Sequence, residues 1–359
     1  CESYPLEPGA RRFEARADVD FLRHLRGLRE GLEAGTVSLA EATALVQAME
    51  ARPGIRAQRR FSRLLNDLGR DWERAGDVAQ AEACYVRSSL PPARERRVRV
   101  RAAQGDLAGA CALAVKLAEA PLDTSEAVFA TGFLRRQARK EGVAAAWAQA
   151  NPPSPPHAEQ RLVLPRAARV EDAVLEAARV QGWEGFFSEN VLWHGLFAYA
   201  FWDLLFAPVP GAFIHPFQGA PLDIDGPGFY EARREGLEAR LAELKQAPRR
   251  LLATAEAKAG LACSFVNPRH LTMAMLEAAV DHVPPEALCG ALATLARHPR
   301  AFDSGFPDLF LYGPEGCALW EVKGPGDTLR PEQDRWLRAF RGWGVTAEVV
   351  RVAWLESGT

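Results

Sequence analysis

Phe306-Pro307-Asp308-Leu309-Phe310-Leu311-Tyr312-Gly313-Pro314-Glu315-Gly316-Cys317-Ala318-Leu319-Trp320-Glu321-Val322-Lys323-Gly324 decides how the rest of this 359-residue chain is read. Two apolar runs of strand length flank a Gly-Pro-Glu-Gly turn, which predicts a hairpin over 308–312 and 317–323. Asp308 opens the first strand and a Glu-X-Lys closes the second. Side chains alternate along a strand, so Glu321 and Lys323 share a face. Two acids able to hold a divalent cation, beside a lysine, suit metal-assisted phosphodiester chemistry. The same pattern also suits an edge hairpin with a solvated Glu–Lys face. The apolar surroundings of these charges favour the first reading.

The residues that follow extend the hairpin. Pro331 and Glu332 suit the first turn of a helix, and Gly342-Trp343-Gly344 suits its end, giving a helix over about 330–341. Residues 345–352 alternate as a strand. The tail is therefore a β-β-α-β unit. Upstream, Arg161-Leu162-Val163-Leu164 alternates, a helix is expected near 171–181, and 191–206 reads as a buried helix that Ser188 or Asn190 could cap. Further helices are expected at 230–246, 248–260, 270–280 and 285–297.

The N-terminal half reads as helical. Leu22, Leu25, Leu28 and Leu32 recur at helical spacing, as do Leu39, Ala42, Val46 and Met49, with Ser38 and Glu41 as a capping box. Ala75-Gly76-Asp77-Val78-Ala79-Gln80-Ala81 resembles Gln104-Gly105-Asp106-Leu107-Ala108-Gly109-Ala110, 29 residues later. A helix before each Gly-Asp turn and an alanine-rich helix after it make a degenerate form of the tetratricopeptide helix pair, whose period is about 34 residues. Between the repeats, Arg94, Arg96, Arg97, Arg99 and Arg101 crowd one helix, either as a solvated face or as contacts to phosphate. Asn151-Pro152-Pro153-Ser154-Pro155-Pro156 marks a linker. The expected divisions are a helical region over 1–60, a tetratricopeptide-like region over 61–150, a Pro-rich linker over 151–160 and an α+β domain over 161–359. That domain would carry a central mixed sheet flanked by helices.

Composition narrows the classes. A hydrophobic content of 48% is ample for a packed core, and a net charge of −2 excludes a global basic field. A nucleic-acid surface would have to be local. Lysine occurs only at positions 116, 140, 245, 258 and 323, so its use at 323 in an arginine-rich chain carries weight. The six cysteines form no CxxC pair and no zinc spacing, and read as reduced core thiols of an intracellular protein. His194, His215 and His270 have no partner spacing. No signal peptide is read, and Val191 to Ala207 is too short for a membrane span. The chain opens at Cys1 rather than Met, as a fragment of a longer protein would.

Pro307-Asp308, Glu321-Val322-Lys323-Gly324-Pro325, Asp327-Thr328-Leu329, Gln333, Trp336-Leu337 and Gly344 together resemble the VRR-NUC branch of the PD-(D/E)XK nucleases. The wider chain resembles the Fanconi-associated nuclease family, which places a tetratricopeptide-like region before this domain. Glu189, ahead of the run ending in Phe201-Trp202-Asp203-Leu204-Leu205-Phe206, resembles that family's active-site helix. Pro216-Phe217-Gln218-Gly219-Ala220-Pro221-Leu222-Asp223, followed by Phe229-Tyr230-Glu231-Ala232-Arg233-Arg234, resembles the stretch after it.

The resemblance implies a restriction-endonuclease-like fold and assigns roles. Glu189, Asp308 and Glu321 would be carboxylate ligands to Mg²⁺ or Mn²⁺; the Val322 carbonyl, between Glu321 and Lys323 in the sequence, is by its position a further candidate ligand. Lys323 would be the catalytic lysine. Gln218 would sit in or near the site, and Gln333 would be the superfamily's helix glutamine, near DNA. The implied activity is structure-selective cleavage of 5′-flap DNA, endonucleolytic and 5′→3′ exonucleolytic, in interstrand-crosslink repair. The implied partner is branched or nicked duplex DNA with no membrane, in the cytoplasm or, in a eukaryote, the nucleus. The alternatives are a VRR-NUC nuclease of junction resolution or phage defence, and a non-catalytic helical-repeat scaffold. The zinc-finger and SAP-type segments of eukaryotic family members are not found in this sequence.

Overall fold

The computed structural model describes residues 2–4, 15–52, 54–152, 157–225, 228–299, 302–314 and 316–355. The chain divides into two compact units, Pro8–Pro153 and Cys1–Glu7 with Ser154–Thr359.

The first unit is an array of helices: α1 (Arg16–Glu33), α2 (Leu39–Ala48), α3 (Ile55–Ala75), α4 (Val78–Arg87), α5 (Ala93–Ala103), α6 (Leu107–Glu119), α7 (Thr124–Gln137) and α8 (Gly142–Ala150). The repeated Gly-Asp turn works through its two residues in sequence. Gly76 and Gly105 take φ of 82° and 85°, ending α3 and α5 in the left-handed conformation that glycine tolerates best. Asp77 then caps α4 by accepting the Gln80 N–H at 3.0 Å, and Asp106 caps α6 by accepting the Gly109 N–H at 2.9 Å. Glu141 does the same for α8, accepting the Ala144 N–H at 3.1 Å. The boundary expected at residue 60 falls inside α3. Phe21, Leu25 and Leu28 of α1, Ala42 and Val46 of α2, and Phe61, Leu64 and Leu68 of α3 share one core, so no seam exists there.

The second unit runs β1 (Ala158–Leu164), α9 (Val170–Val180), β2 (Glu184–Phe187), α10 (Glu189–Ala200), α11 (Trp202–Leu205), α12 (Gly228–Glu231), α13 (Arg234–Gln246), α14 (Arg250–Ala257), α15 (Met273–His282), α16 (Pro285–Arg297), β3 (Leu309–Gly313), β4 (Gly316–Lys323), α17 (Pro331–Gly342) and β5 (Thr346–Trp354). The five strands form one mixed sheet in the order β1-β5-β4-β3-β2. β3 and β4 are an antiparallel hairpin, while β4 and β5 are parallel, with α17 as the crossover a parallel pair requires.

Both faces of the sheet are covered. Leu309, Leu311, Trp320, Val322, Val350 and Val352 pack on Val174 and Ala178 of α9. The alternate residues Phe310, Leu319, Ala347 and Val349 face Trp193 and Phe197 of α10 and Trp336 and Phe340 of α17. Trp193 stacks on Phe306 at 5.4 Å between centroids, and Phe306 stacks on Trp336 at 4.1 Å. These contacts lock α10 and α17 against the segment that leads through Asp308 into β3.

Three readings shift. The helix expected over 191–206 begins at Glu189 and breaks at Phe201 (φ −122°, ψ 23°), giving α10 and α11. Short β2 completes the sheet where no strand was read. Of the Pro-rich linker, 153–156 lie outside the described residues, and 158–160 already belong to β1. Residues 2–4 pack into the second unit, not the first. The Tyr4 hydroxyl donates to the His215 carbonyl at 2.6 Å and accepts the Gln218 N–H at 2.8 Å. Among the described residues no helix is long and apolar enough to cross a membrane.

Candidate active site

Strand register brings the acids together. β3 and β4 pair Leu309 with Trp320, so Asp308 stands opposite Glu321 one step beyond the last rung. Asp308, Glu321 and Lys323 share the parity of Phe310 and Leu319, and therefore the sheet face covered by α10 and α17. The hydrophobic layer ends there and the charged residues begin. Val322 points to the opposite face, into the α9 side of the core.

Backbone bonds fix Asp308 and the start of α10. Asp308 Oδ2 accepts the Val322 N–H at 2.9 Å. The Asp308 carbonyl accepts the N–H groups of Ser188 at 2.8 Å and Glu189 at 3.2 Å. The Ser188 hydroxyl is not a helix cap; it donates to the Pro307 carbonyl at 3.2 Å. These bonds seat the start of α10 on the start of β3, across about 120 residues of chain. Glu189 takes φ 33°, the only described non-glycine residue with positive φ. Strain of this kind persists where the surroundings over-determine the backbone, and it concentrates at functional sites.

The charges are confined in little solvent. Glu321 is 1% exposed and Lys323 8%. Lys323 Nζ lies 2.8 Å from Glu321 Oε1, yet neither Glu321 oxygen has a hydrogen-bond partner of good geometry. Burial first, and then the neighbouring Asp308 charge, push the Glu321 carboxyl up to about 8. Burial pushes Asp308 up to about 6, with the Glu171 and Glu189 charges adding to it. Glu171, in the first turn of α9, was not singled out in the sequence. Its signal is an acid opening a helix that packs on the sheet.

A divalent cation suits this donor set. Both Glu321 oxygens are buried without a hydrogen bond, and both acids have raised proton affinities despite Lys323, so the donor set has room for further positive charge. Among the described residues no three His, Cys, Asp or Glu side chains close into a complete metal cage. Mg²⁺ commonly takes one or two carboxylates and keeps its waters, so Asp308 and Glu321 suffice as anchors.

Two other expectations change. The Gln218 amide is wholly engaged in its own loop. Its Oε1 accepts the Ile214 N–H at 2.7 Å, and its Nε2 donates to the carbonyls of Ala212 at 3.0 Å and Ala220 at 3.3 Å. That makes it a loop staple, with no amide atom left for the site. Gln333 is 4% exposed, and its Oε1 accepts the Arg330 N–H at 3.0 Å, capping α17. It is not disposed toward a DNA surface.

The arginine cluster of α5 is also structural. Arg94 pairs with buried Glu126 at 3.3 Å, Arg96 with Glu73, Arg97 with Glu82 at 3.9 Å, Arg99 with Glu95 at 2.7 Å and Arg101 with Glu82 at 2.6 Å. Each guanidinium has an acid within the helical unit, so the crowding of charge seen in the sequence joins helices and does not advertise a phosphate surface.

Comparison with known proteins finds chains similar to this one. The VRR-NUC domain family matches residues 243–354. A Fanconi-associated nuclease 1 homolog of Pseudomonas aeruginosa is 31% identical over 358 residues, covering 98% of this chain and 64% of that protein. The Oryza sativa homolog is 34% identical over 180 residues, covering 48% of this chain and 19% of that protein. A crystal structure of paFAN1 bound to 2nt 5′-flap DNA with a gap superimposes with a TM-score of 0.77 at 29% identity, over 99% of this chain and 66% of that one. The chain thus spans somewhat under two thirds of the Pseudomonas relative, and a fifth of the plant one.

Proposed function

We propose that the chain is a divalent-metal-dependent DNA nuclease, a reading supported by the VRR-NUC match over residues 243–354 and by the 31% identity to the Pseudomonas aeruginosa relative. The observation that carries the reading is the meeting of Asp308, Glu321 and Lys323 on one sheet face, with the strained start of α10 bonded to the Asp308 carbonyl.

Hydrolysis joins a water oxygen to phosphorus and breaks the P–O bond to the leaving sugar oxygen. A cation held by Asp308 and Glu321 would neutralise charge on the phosphoryl oxygens and lower the pKa of a bound water. Lys323, beside Glu321, is placed to orient the attacking water or to donate a hydrogen bond to a phosphoryl oxygen. Glu189, whose N–H is fixed on Asp308, supplies a further carboxylate to the edge of the site. The Gly324–Asp327 turn closes on itself, Asp327 accepting the Gly324 N–H at 3.0 Å, and leaves a low glycine-containing rim for a substrate backbone.

The substrate we propose is 5′-flap DNA, as in the paFAN1 complexes, and the biological setting is DNA repair, interstrand-crosslink repair included. Incubation of the chain with end-labelled flap, nicked and four-way-junction DNA in Mn²⁺ tests this. Flap cleavage that disappears in Glu321→Ala is expected. Absence of cleavage on every substrate would overturn the nuclease reading, and preference for junctions would overturn the flap assignment.

A further inference from the structure

α1 and α3 of the helical unit enclose a groove of about 320 Å³ lined by six arginines, Arg23, Arg26, Arg29, Arg56, Arg60 and Arg63. All six are exposed. Leu22, Leu25 and Leu64 form its floor, the last two buried in the core shared by the two helices. No acid lines it. We propose that this groove binds the phosphodiester backbone of duplex DNA, apart from the catalytic centre. The proposal rests on the nuclease reading for its choice of DNA as the anion.

The contrast with α5 carries the argument. There every arginine meets a carboxylate. Here Arg26 is balanced by Glu30 at 2.7 Å, and Arg29 by Glu33 at 3.1 Å with Asp67 at 3.9 Å. Among the described residues Arg23, Arg60 and Arg63 form no ion pair with an acid. Like charges three and four residues apart on a helix destabilise it, and at Arg23, Arg60 and Arg63 the compensation found along α5 is lacking. A bound polyanion would supply it. Arg56, Arg60 and Arg63 follow one helical stripe, and Arg23, Arg26 and Arg29 another. Each stripe runs about 10 Å along its helix. One strand of a duplex presents a phosphate roughly every 3.4 Å of axis, so each stripe spans about three phosphates. Guanidinium groups match phosphate oxygens in pairs. Such contacts carry no base information, so the groove would hold duplex of any sequence.

The test uses the full chain in EDTA, where no cleavage occurs, and labelled blunt duplex DNA read by fluorescence anisotropy across a salt series. Replacing three arginines together, R23Q/R60Q/R63Q, should weaken binding tenfold or more. It should also lower the slope of log affinity against log salt by about 3. R23K/R60K/R63K keeps the charge and should keep the slope within about 1. Thermal melts by circular dichroism verify that the variants fold. An unchanged slope in the folded glutamine variant would overturn the proposal, as would a lysine variant as weak as the glutamine one. Full competition by polyglutamate at equal charge concentration would assign the groove to an acidic protein segment instead. A chain that cuts no DNA but shows the slope change sinks the nuclease reading and leaves the groove standing. A chain that cuts DNA with an unchanged slope does the reverse.

Discussion

The Val322 N–H donates to Asp308 Oδ2 at 2.9 Å, tying the residue ahead of β3 to the backbone of β4 beside Glu321. Asp308→Asn keeps an oxygen for that bond and removes the charge. The fold should persist while cleavage falls beyond the roughly 10–100-fold typical of losing a group behind a metal ligand. Mn²⁺-dependent cleavage of labelled flap DNA measures this, and a variant within tenfold of the parent would remove Asp308 from the metal site.

The Glu321 carboxyl titrates near 8 in the folded chain against 4.5 for an ordinary glutamate. Below the lower value both states are protonated and burial carries no ionisation penalty. As pH rises the unfolded chain ionises first, so metal-free stability falls until the folded carboxyl also ionises near 8. Asp308 acts with the same sign between 3.8 and about 6. Glu321→Gln should therefore be more stable than the parent by a few kcal/mol at alkaline pH, with the gain vanishing near pH 4. Urea unfolding in EDTA reads the difference, and a gain independent of pH would contradict it. Mn²⁺ affinity should rise over the same window, because the ion needs ionised carboxylates.

Glu189 holds φ at 33°. Glycine adopts that conformation without the roughly 1–2 kcal/mol that a Cβ costs there. Glu189→Gly should be about 1 kcal/mol more stable than Glu189→Ala, offset in part by glycine's greater freedom when unfolded. Both should lose most cleavage. Paired denaturant titrations and cleavage rates separate the backbone effect from the carboxylate's; an alanine variant as stable as the glycine one would show that the backbone relaxes freely.

Asp223 and Arg233 form a buried pair at 2.6 Å, with side chains 7% and 1% exposed. Arg233 also donates to the Leu204 carbonyl at 2.8 Å and lies over the Phe229 ring. Asp223→Ala leaves a cation without its counter-charge in the core. It should lower unfolding stability by about 3–5 kcal/mol, read as a drop in the urea midpoint; a shift under about 1 kcal/mol would mean that water reaches the site.

Arg96 holds Glu73, whose other partner is the Tyr85 hydroxyl at 2.6 Å. Arg96→Met should destabilise the helical unit by about 1–3 kcal/mol and leave DNA affinity within twofold of the parent. Anisotropy and thermal melts on one preparation decide it. Weaker DNA binding with unchanged stability would restore the phosphate role first read from the sequence.

The sequence made the hairpin and its chemistry legible because β3, β4, α17 and β5 are contiguous and obey simple periods. Leu309 to Gly313 and Gly316 to Lys323 differ from the expected strands by a residue or so at each end. The Gly-Asp turns were equally readable, since glycine and aspartate each do one local job. What escaped depends on distant partners. β2 is only four residues long and exists because β3 offers it an edge. Most α5 arginines looked available because their acids lie on other helices, while Gln218 and Gln333 looked available because they bond backbone groups of their own loop and helix start, which residue type does not disclose. The α1–α3 arginines escaped for the opposite reason: two ordinary amphipathic stripes become one groove only when the helices pack.

Tyr4 couples the first described residues to the loop that Gln218 staples, its ring stacked 5.8 Å from Phe206 and tilted against Phe213 at 4.0 Å. The second unit is therefore discontinuous in this sequence, with the helical array running between its two pieces. A gene trimmed to begin at residue 154 would encode that unit without one of its own pieces. An aromatic socket and the Gln218 N–H would then open to water. Rearranging the order of segments, so that the short N-terminal stretch is fused near the loop it serves, would preserve what trimming removes.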